Sequence, residues 1–308
     1  MERGLYGDDG ARVHRVVLAG GGCPAFGVYT GLFRKLDLGL VDFAALGVEL
    51  VTSSAGSMYV AQMVARALCD RATNMTDAQL DEKLAEMHAR MTNVSLWDVL
   101  EEQRTHLIGH AVLFNEITQI ARAVENVDDP KSIRTTFAQL REHIPALKLT
   151  VLATYEKNEQ WFVKTFNADE TPDVPVCEAC MASMSVPIMF QPYNIQGVEY
   201  FDSDITDFMA KDWCNGDGTW HIRSRVHNLE DTLSSLRLGI PFVDTVIRYV
   251  FLLLKQQTRK STLEGTRVLR HDFVSDVMQS PVCSQFRECG ERLANEFKVI
   301  LKESVSEQ

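Results

Sequence analysis

Glu49-Leu50-Val51-Thr52-Ser53-Ser54-Ala55-Gly56-Ser57 is the stretch whose reading decides the fold. Leu50, Val51 and Thr52 are apolar or β-favouring and read as the end of a buried strand. Ser53 to Gly56 then turn, and Met58, Ala61, Ala65 and Leu68 recur at helical spacing beyond them. A serine at a strand–turn–helix corner has its hydroxyl pushed out of the packed layer, above the end of the sheet. Ala55 and Gly56 are small enough for the helix to start there without a clash, and its first N–H groups are free to face a negative charge. That pattern is a nucleophile elbow with Ser54 at its tip. The same residues also read as a Ser/Gly-rich turn in which Ser53 or Ser54 is an ordinary helix N-cap.

Upstream, Arg15–Ala19 is a short apolar run that stops at Gly20, Gly21 and Gly22. A helix pattern follows on Val28, Leu32 and Leu36, ends at Gly39, and gives way to a strand over Val48–Thr52. Strand, glycine turn, helix, strand is a βαβ unit, so the two strands should be parallel neighbours. Their C-terminal ends then lie side by side, and Gly20–Gly22 should sit beside Ser54.

Downstream, residues 70–146 read as helical, with stripes on Leu80/Leu84/Met87/Met91, Leu113/Ile117/Ile120/Ala121/Val124 and Ile133/Phe137/Leu140/Ile144. Strand character returns at Leu147–Thr154 and Trp161–Phe166, either as a hairpin or as neighbouring strands across the turn-like Lys157-Asn158-Glu159. Pro175 opens a helix carrying Cys177, Ala179–Ser183 and Met184, which Pro187 stops. A turn at Gln196-Gly197 precedes the strand Val198–Phe201, which ends on Asp202-Ser203-Asp204. An acid at a strand terminus is placed to point into a site built from strand ends, although an aspartate there also serves as a turn former. Residues 1–13 read as a flexible arm. Residues 209–308 read as helical, including an apolar segment at Phe242–Leu254 too short to cross a bilayer and a last pattern on Leu293, Phe297 and Leu301.

The chain has 308 residues, 45% of them hydrophobic, enough for a sizeable core in one large domain or a domain with an extension. A formal net charge of −11 argues against nucleic acid as a partner and against attraction to anionic lipid, so membrane contact would have to be hydrophobic. Seven scattered cysteines fit a reducing, cytoplasmic setting. Cys177 and Cys180 form a CxxC without a second pair at zinc-site spacing, and are expected to face the core from one helix.

Four pieces in one order resemble the patatin-like phospholipases: Leu18-Ala19-Gly20-Gly21-Gly22, Thr52-Ser53-Ser54-Ala55-Gly56, Ala182-Ser183-Met184-Ser185-Val186-Pro187 and Tyr200-Phe201-Asp202. They are similar to the family's glycine-rich oxyanion loop, its Gly-x-Ser-x-Gly elbow, its Ala-Ser-x-x-x-Pro segment and its Asp-Gly-Gly/Ala motif. The resemblance spans residues 14–208, with 70–146 as a helical insertion where family members vary and 209–308 as a helical extension packed on the core. It implies a three-layer α/β/α fold with a mostly parallel central sheet.

It also implies a lipid acyl hydrolase of phospholipase A or lysophospholipase type, working without metal, cofactor or catalytic histidine. Carried over residue by residue, Ser54 is the nucleophile that forms the acyl-enzyme and Asp202 is its base. N–H groups around Gly20, Gly21, Gly22 and Cys23 form the oxyanion hole, and Thr52 and Gly56 support the elbow. The implied partner is a phospholipid or other acyl-ester lipid, met at the periphery of membranes or lipid droplets; oligomeric state is not legible.

Three departures from the pattern matter. Thr52 stands where the first elbow glycine is usual, Ser203 and Asp204 replace the glycines after the aspartate, and Cys23-Pro24-Ala25-Phe26-Gly27 lacks the usual Arg or Lys. They favour an alternative, a lipid-binding or scaffolding protein whose catalysis has faded. Two further alternatives are a rival within the hydrolases and a dinucleotide-binding protein from a different class. His221, His227 and His271 follow Asp202 in the chain order of a Ser-His-Asp triad. Gly20-Gly21-Gly22-Cys23-Pro24-Ala25, with Asp42 some twenty residues on, satisfies a dinucleotide fingerprint.

Overall fold

The computed structural model describes residues 3–67, 134–186, 191–214, 216–226, 266–273 and 283–300. Its centre is the βαβ unit. β3 (Arg15–Leu18) and β4 (Glu49–Thr52) are parallel neighbours in the register Leu18–Thr52, joined through α1 (Gly22–Lys35) and α2 (Leu40–Leu46). Val16, Val17, Leu18, Leu50 and Val51 are fully buried, as strands covered on both faces must be. α2 was not foreseen. Its seven residues are too few to show a helical period, and it is set by its ends: the Gly39 N–H donates to the Asp42 carboxylate at 2.8 Å, and Gly47 stops it at φ 70°.

β5 (Lys148–Lys157) lies on the other side of β4, parallel to it, and β6 (Gln160–Phe166) returns antiparallel along β5. Of the two readings of this pair, the hairpin is the observed one. Asn158 and Glu159 sit at φ 53° and 60°, the paired left-handed conformation of a two-residue turn. β7 (Tyr193–Ile195) and β8 (Val198–Asp202) form a second hairpin, and β8 runs antiparallel to β5.

Register fixes where β8 sits. Val151 pairs with both Thr52 and Phe166, and Ala153 pairs with both Asp202 and Lys164, so β4 and β8 share one edge of β5. The two strands run toward each other along that edge, and their C-terminal ends meet head-on. Asp202 is thereby brought two β5 positions from the end of the elbow strand.

Helix packing completes one face. α3 (Ala55–Ala67) rises from the elbow, α4 (Phe137–His143) buries Phe137 and Leu140, and α5 (Val176–Ser183) is buried almost throughout. α1 and α3 meet through aromatic rings, with Phe33 stacked on Tyr59 at 5.5 Å and Phe26 edge-on to it at 5.9 Å. Val17, Val51 and Leu152 point to the opposite face, where Ala210 and Cys214 of the segment after β8 cover them.

The sheet order is β10-β9-β3-β4-β5-β8-β7, with β6 on the outside of β5. β9 (Thr219–Val226) and β10 (Thr266–Phe273) continue the parallel run, β9 lying directly on β3. This corrects the expectation of helix throughout 209–308. Thr219–Val226 interleaves His221, Arg223, Ser224 and Arg225 with apolar residues and lacks the continuous hydrophobic run of an interior strand. The last stretch is corrected as well: α6 (Cys283–Leu293) ends at Leu293, and Phe297–Ile300 is a strand, β11. At Gly290, α6 approaches α1 so closely that a Cβ would strike the Val28 carbonyl oxygen and lie 2.6 Å from the Leu32 nitrogen.

Residues 1–13 are likewise not a free arm. β1 (Gly4–Gly7) and β2 (Arg12–Val13) join β11 in a three-stranded antiparallel sheet, with Leu5 and Val13 buried. Their partner strand lies at the opposite end of the chain, beyond the reach of any local pattern. The expected stripes between Leu80 and Val124 and the apolar segment Phe242–Leu254 lie outside the described residues. Among the described residues no helix is long and apolar enough to cross a membrane.

Candidate active site

The elbow forms as expected. β4 ends at Thr52, α3 begins at Ala55, and Ser54 between them sits at φ 49°. A non-glycine residue there is strained by about 1–3 kcal/mol, and such strain persists only where neighbours enforce it. One neighbour is visible: the Ser54 N–H donates to Ser183 Oγ at 2.9 Å. Ser183 Oγ is 2.9 Å from Ser57 Oγ, which is 3.0 Å from Thr52 Oγ1, and all four residues are buried. The threonine at the first elbow position is therefore accommodated by a hydroxyl chain running under the turn. Gly56 has no such latitude, because a Cβ there would strike the Leu18 carbonyl oxygen and lie 2.7 Å from the Leu18 Cβ.

The glycine loop lies beside the elbow. A Cβ built on Gly20 would be 3.0 Å from the Ser54 Cβ, and it would collide with Asp204 Oδ2. Gly21 adopts φ 141°, which few side chains tolerate, and α1 starts at Gly22. Two helix N-termini, those of α1 and α3, thus open at neighbouring strand ends and favour negative charge between them. From α1, the Tyr29 hydroxyl reaches the Ala19 carbonyl at 2.5 Å and the Ile222 carbonyl at 3.2 Å, tying the end of β3 to the middle of β9. Burial, and then the charge of Asp204, push the Tyr29 pKa up, so it remains a neutral donor.

Asp202 is 3% exposed. Its Oδ1 accepts the Asp204 N–H at 2.9 Å, and its Oδ2 meets no hydrogen-bond donor of regular geometry among the described residues. Burial foremost, and the Asp204 charge next, raise its pKa well above the usual carboxylate range, against the smaller lowering effects of the Ser54 hydroxyl and the Asp204 N–H. Asp204 is half-buried. Its Oδ1 accepts the Ser53 hydroxyl at 2.8 Å. Since Ser53 donates there, the 2.6 Å contact between the Ser53 and Ser203 hydroxyls runs from Ser203 to Ser53.

Ser54, Asp202, Thr52, Gly56, Gly20 and Gly21 are therefore gathered at one place. Gly22 and Cys23 open α1, their side chains outside the described set. Three residues were missed. Ser183 was read only as part of the Ala182–Pro187 segment, Ser57 only as the last residue of the stretch Glu49–Ser57, and Tyr29 not at all. The spacing of Thr52 and Ser57 at a helix start was an available signal for the hydroxyl chain; nothing local pointed to Ser183, which arrives from α5.

Among the described residues the rival constellations do not assemble. His221 is fully buried in mid-β9, in the row of Val17 and Val51, whose side chains pack on Ala210 and Cys214. The side chains of His227 and His271 lie outside the described residues. Asp42 caps the N-terminus of α2 and ends no strand, and Pro24 lies inside α1, against a dinucleotide site. Cys177 and Cys180 are buried on α5, as expected, and burial pushes the Cys177 thiol up to about 12. Among the described residues no three His, Cys, Asp or Glu side chains are grouped to hold a metal.

VipD from Legionella pneumophila is similar in structure, at 13% identity and a TM-score of 0.45, over 97% of this chain and 72% of that one. The type III effector ExoU is another such neighbour, at 16% identity and a TM-score of 0.40, over 94% of this chain and 56% of that one. ExoU bound to SpcU from Pseudomonas aeruginosa gives 16% and 0.40 over 96% and 53%, so the chain spans little more than half of ExoU's length. No curated protein matches the sequence significantly. Residues 16–209, well over half of the 308, match the family profile of the patatin-like phospholipases. With the elbow, the glycine loop and the strand-end aspartate in the order that profile spans, the chain belongs to the patatin-like phospholipase family.

Proposed function

We propose that this protein hydrolyses acyl esters of lipids, as a phospholipase A or lysophospholipase, with Ser54 as nucleophile and Asp202 as its base. Family membership supports a lipid hydrolase. The single observation that carries the finer reading is the strained, left-handed Ser54 facing a buried aspartate whose Oδ2 has no other donor among the described residues.

In this mechanism Ser54 Oγ attacks the ester carbonyl carbon while its proton passes to Asp202. Negative charge develops on the carbonyl oxygen and is met by backbone N–H groups of the loop Gly20–Cys23 and by the opening helices, which supply the largest single stabilisation. The C–O bond to the alcohol breaks, the alcohol takes the proton from Asp202, and an acyl-Ser54 remains. Water then attacks the acyl group, giving its proton to Asp202, and the fatty acid leaves as Ser54 recovers a proton. A carboxylate with an ordinary pKa near ~4 is a weak base toward an alcohol. The desolvation that raises Asp202 makes its ionised form a stronger one.

A second reading is favoured by one observation: the Asp204 carboxylate beside Gly20 would repel an oxyanion formed there. On that reading the fold binds lipid without cleaving it. A fluorophosphonate probe decides between them. The hydrolase reading expects one labelled peptide, mapped by mass spectrometry to Ser54 and absent in Ser54→Ala; a well-folded protein left unlabelled, or labelled elsewhere, refutes it.

A further inference from the structure

We propose that Asp204 is a positioning residue for the Ser54–Asp202 reaction: its carboxylate pins the glycine loop against Ser54 and holds back the ionisation of Asp202, so that hydrolysis begins only above the pH at which an isolated aspartate would already serve. The proposal rests on the hydrolytic reading of Ser54 and Asp202.

Three contacts put Asp204 at the crossing point of the site. Its Oδ1 takes the Ser53 hydroxyl at 2.8 Å, one residue before the nucleophile. Its Oδ2 lies against Gly20, filling the space a side chain would need. Its N–H donates to Asp202 Oδ1 at 2.9 Å. One residue thus joins the elbow turn and the glycine loop through its side chain, and the strand-end acid through its N–H. Asp204 stands where the Asp-Gly-Gly/Ala pattern described above has glycine or alanine.

Two carboxylates this close in a poorly hydrated site do not ionise independently. Asp204 is the more exposed and receives the Ser53 hydroxyl, so it gives up its proton first. Asp202 must then ionise beside an existing negative charge and away from water. Among the described residues the Ser54 hydroxyl and the Asp204 N–H relieve that charge in part, by less than burial and the Asp204 carboxylate oppose it. α1 contributes Tyr29, held neutral. α5 and β5 contribute only the hydroxyls of Ser183, Ser185 and Thr154, and the Ser185 carbonyl accepts the Asp202 N–H at 3.0 Å. In the segment after β8, Asp207 is turned to the Asp212 N–H at 3.0 Å, and on β9 the buried His221 lies in the row packed against Ala210 and Cys214. Among the described residues no cation acts on Asp202.

The test is the pH dependence of kcat/KM toward the soluble ester p-nitrophenyl butyrate for wild type, Asp204→Asn and Asp204→Ala. Asparagine keeps the shape and an acceptor for Ser53 but removes the charge, so the acid limb should move down by about one pH unit or more. Alanine should move the limb similarly and also lower the plateau about tenfold relative to asparagine, because the loop loses its anchor. An acid limb unmoved in Asp204→Asn overturns the proposal.

A second measurement needs no turnover. A carboxyl group whose pKa is raised by folding costs stability as pH rises through that value. The Tm of Asp204→Asn should therefore gain on that of wild type as pH rises above about 4, the ordinary carboxylate range. A constant Tm difference overturns the proposal whatever the ester assay reads. A widening difference in a protein inert toward esters at every pH supports the carboxylate coupling and refutes the hydrolytic reading instead.

Discussion

Ser183→Ala tests the hydroxyl chain under the elbow most directly. Ser183 Oγ is the acceptor of the Ser54 N–H at 2.9 Å, while Ser57, its other neighbour at 2.9 Å, keeps Thr52 at 3.0 Å as a partner. The substitution therefore leaves one buried donor, the N–H of Ser54 itself, without an acceptor. Such an orphan costs about 1–3 kcal/mol. A loss of about 2 kcal/mol lowers Tm by roughly 3 °C for a chain of 308 residues. The same bond holds Ser54 at φ 49°, so part of the cost should appear in its reactivity. If about 1.4 kcal/mol reaches the barrier, labelling by a fluorophosphonate slows about tenfold. Ser57→Ala is the control: it leaves the Thr52 hydroxyl without that contact and lowers Tm, but the Ser54 N–H keeps its acceptor and labelling stays near the wild-type rate. Differential scanning fluorimetry and timed labelling read both quantities. A Ser183→Ala protein with unchanged Tm and labelling, or a Ser57→Ala protein slowed equally, refutes the reasoning.

Gly56→Ala should destabilise the protein by about 2–3 kcal/mol, read by urea denaturation, because its Cβ meets the Leu18 backbone, which cannot swing aside as a side chain can. Asp202→Asn should lose nearly as much ester hydrolysis as Ser54→Ala, at least about a hundredfold in kcat/KM, whereas His221→Ala should not, and EDTA should leave the rate unchanged. Iodoacetamide at neutral pH should leave Cys177 and Cys180 unmodified in peptide mapping, since both are buried and the Cys177 thiol is pushed up to about 12.

The core of the site was legible because it rests on short-range grammar. A run of apolar residues broken by three glycines, followed by a helix period and a second apolar run, fixes two parallel strands with adjacent ends, and Ser54 and Gly20 follow from that alone. Asp202 was legible as a strand-end acid, but its direction of approach was not. Only the β5 register makes it arrive head-on from an antiparallel strand. Asp204 was visible as a second carboxylate, yet its seat against Gly20 depends on the turn Ser203–Ile205, whose shape no periodicity encodes. Ser183 comes from α5, far along the chain, and one serine among Ala182-Ser183-Met184-Ser185 carries no mark of its partner. β9 was misread because an interior strand bearing two arginines and a histidine resembles surface. β1 was misread because Gly4 finds Ile300, and nothing near residue 4 announces it.

The position of β9 bears on how the protein is handled at the bench. The residues that match the family profile stop at 209, but the strand lying on β3 is built from 219–226. Trimming a gene to the span of the motifs would strip the flank of Val16–Leu18 and bare a row of backbone donors and acceptors, a template for pairing with another copy. The tight crossing at Gly290 and the strand Phe297–Ile300 would go with it. Material cut in that way should come out of the cell as inclusion bodies, and its inertness would say nothing about Ser54.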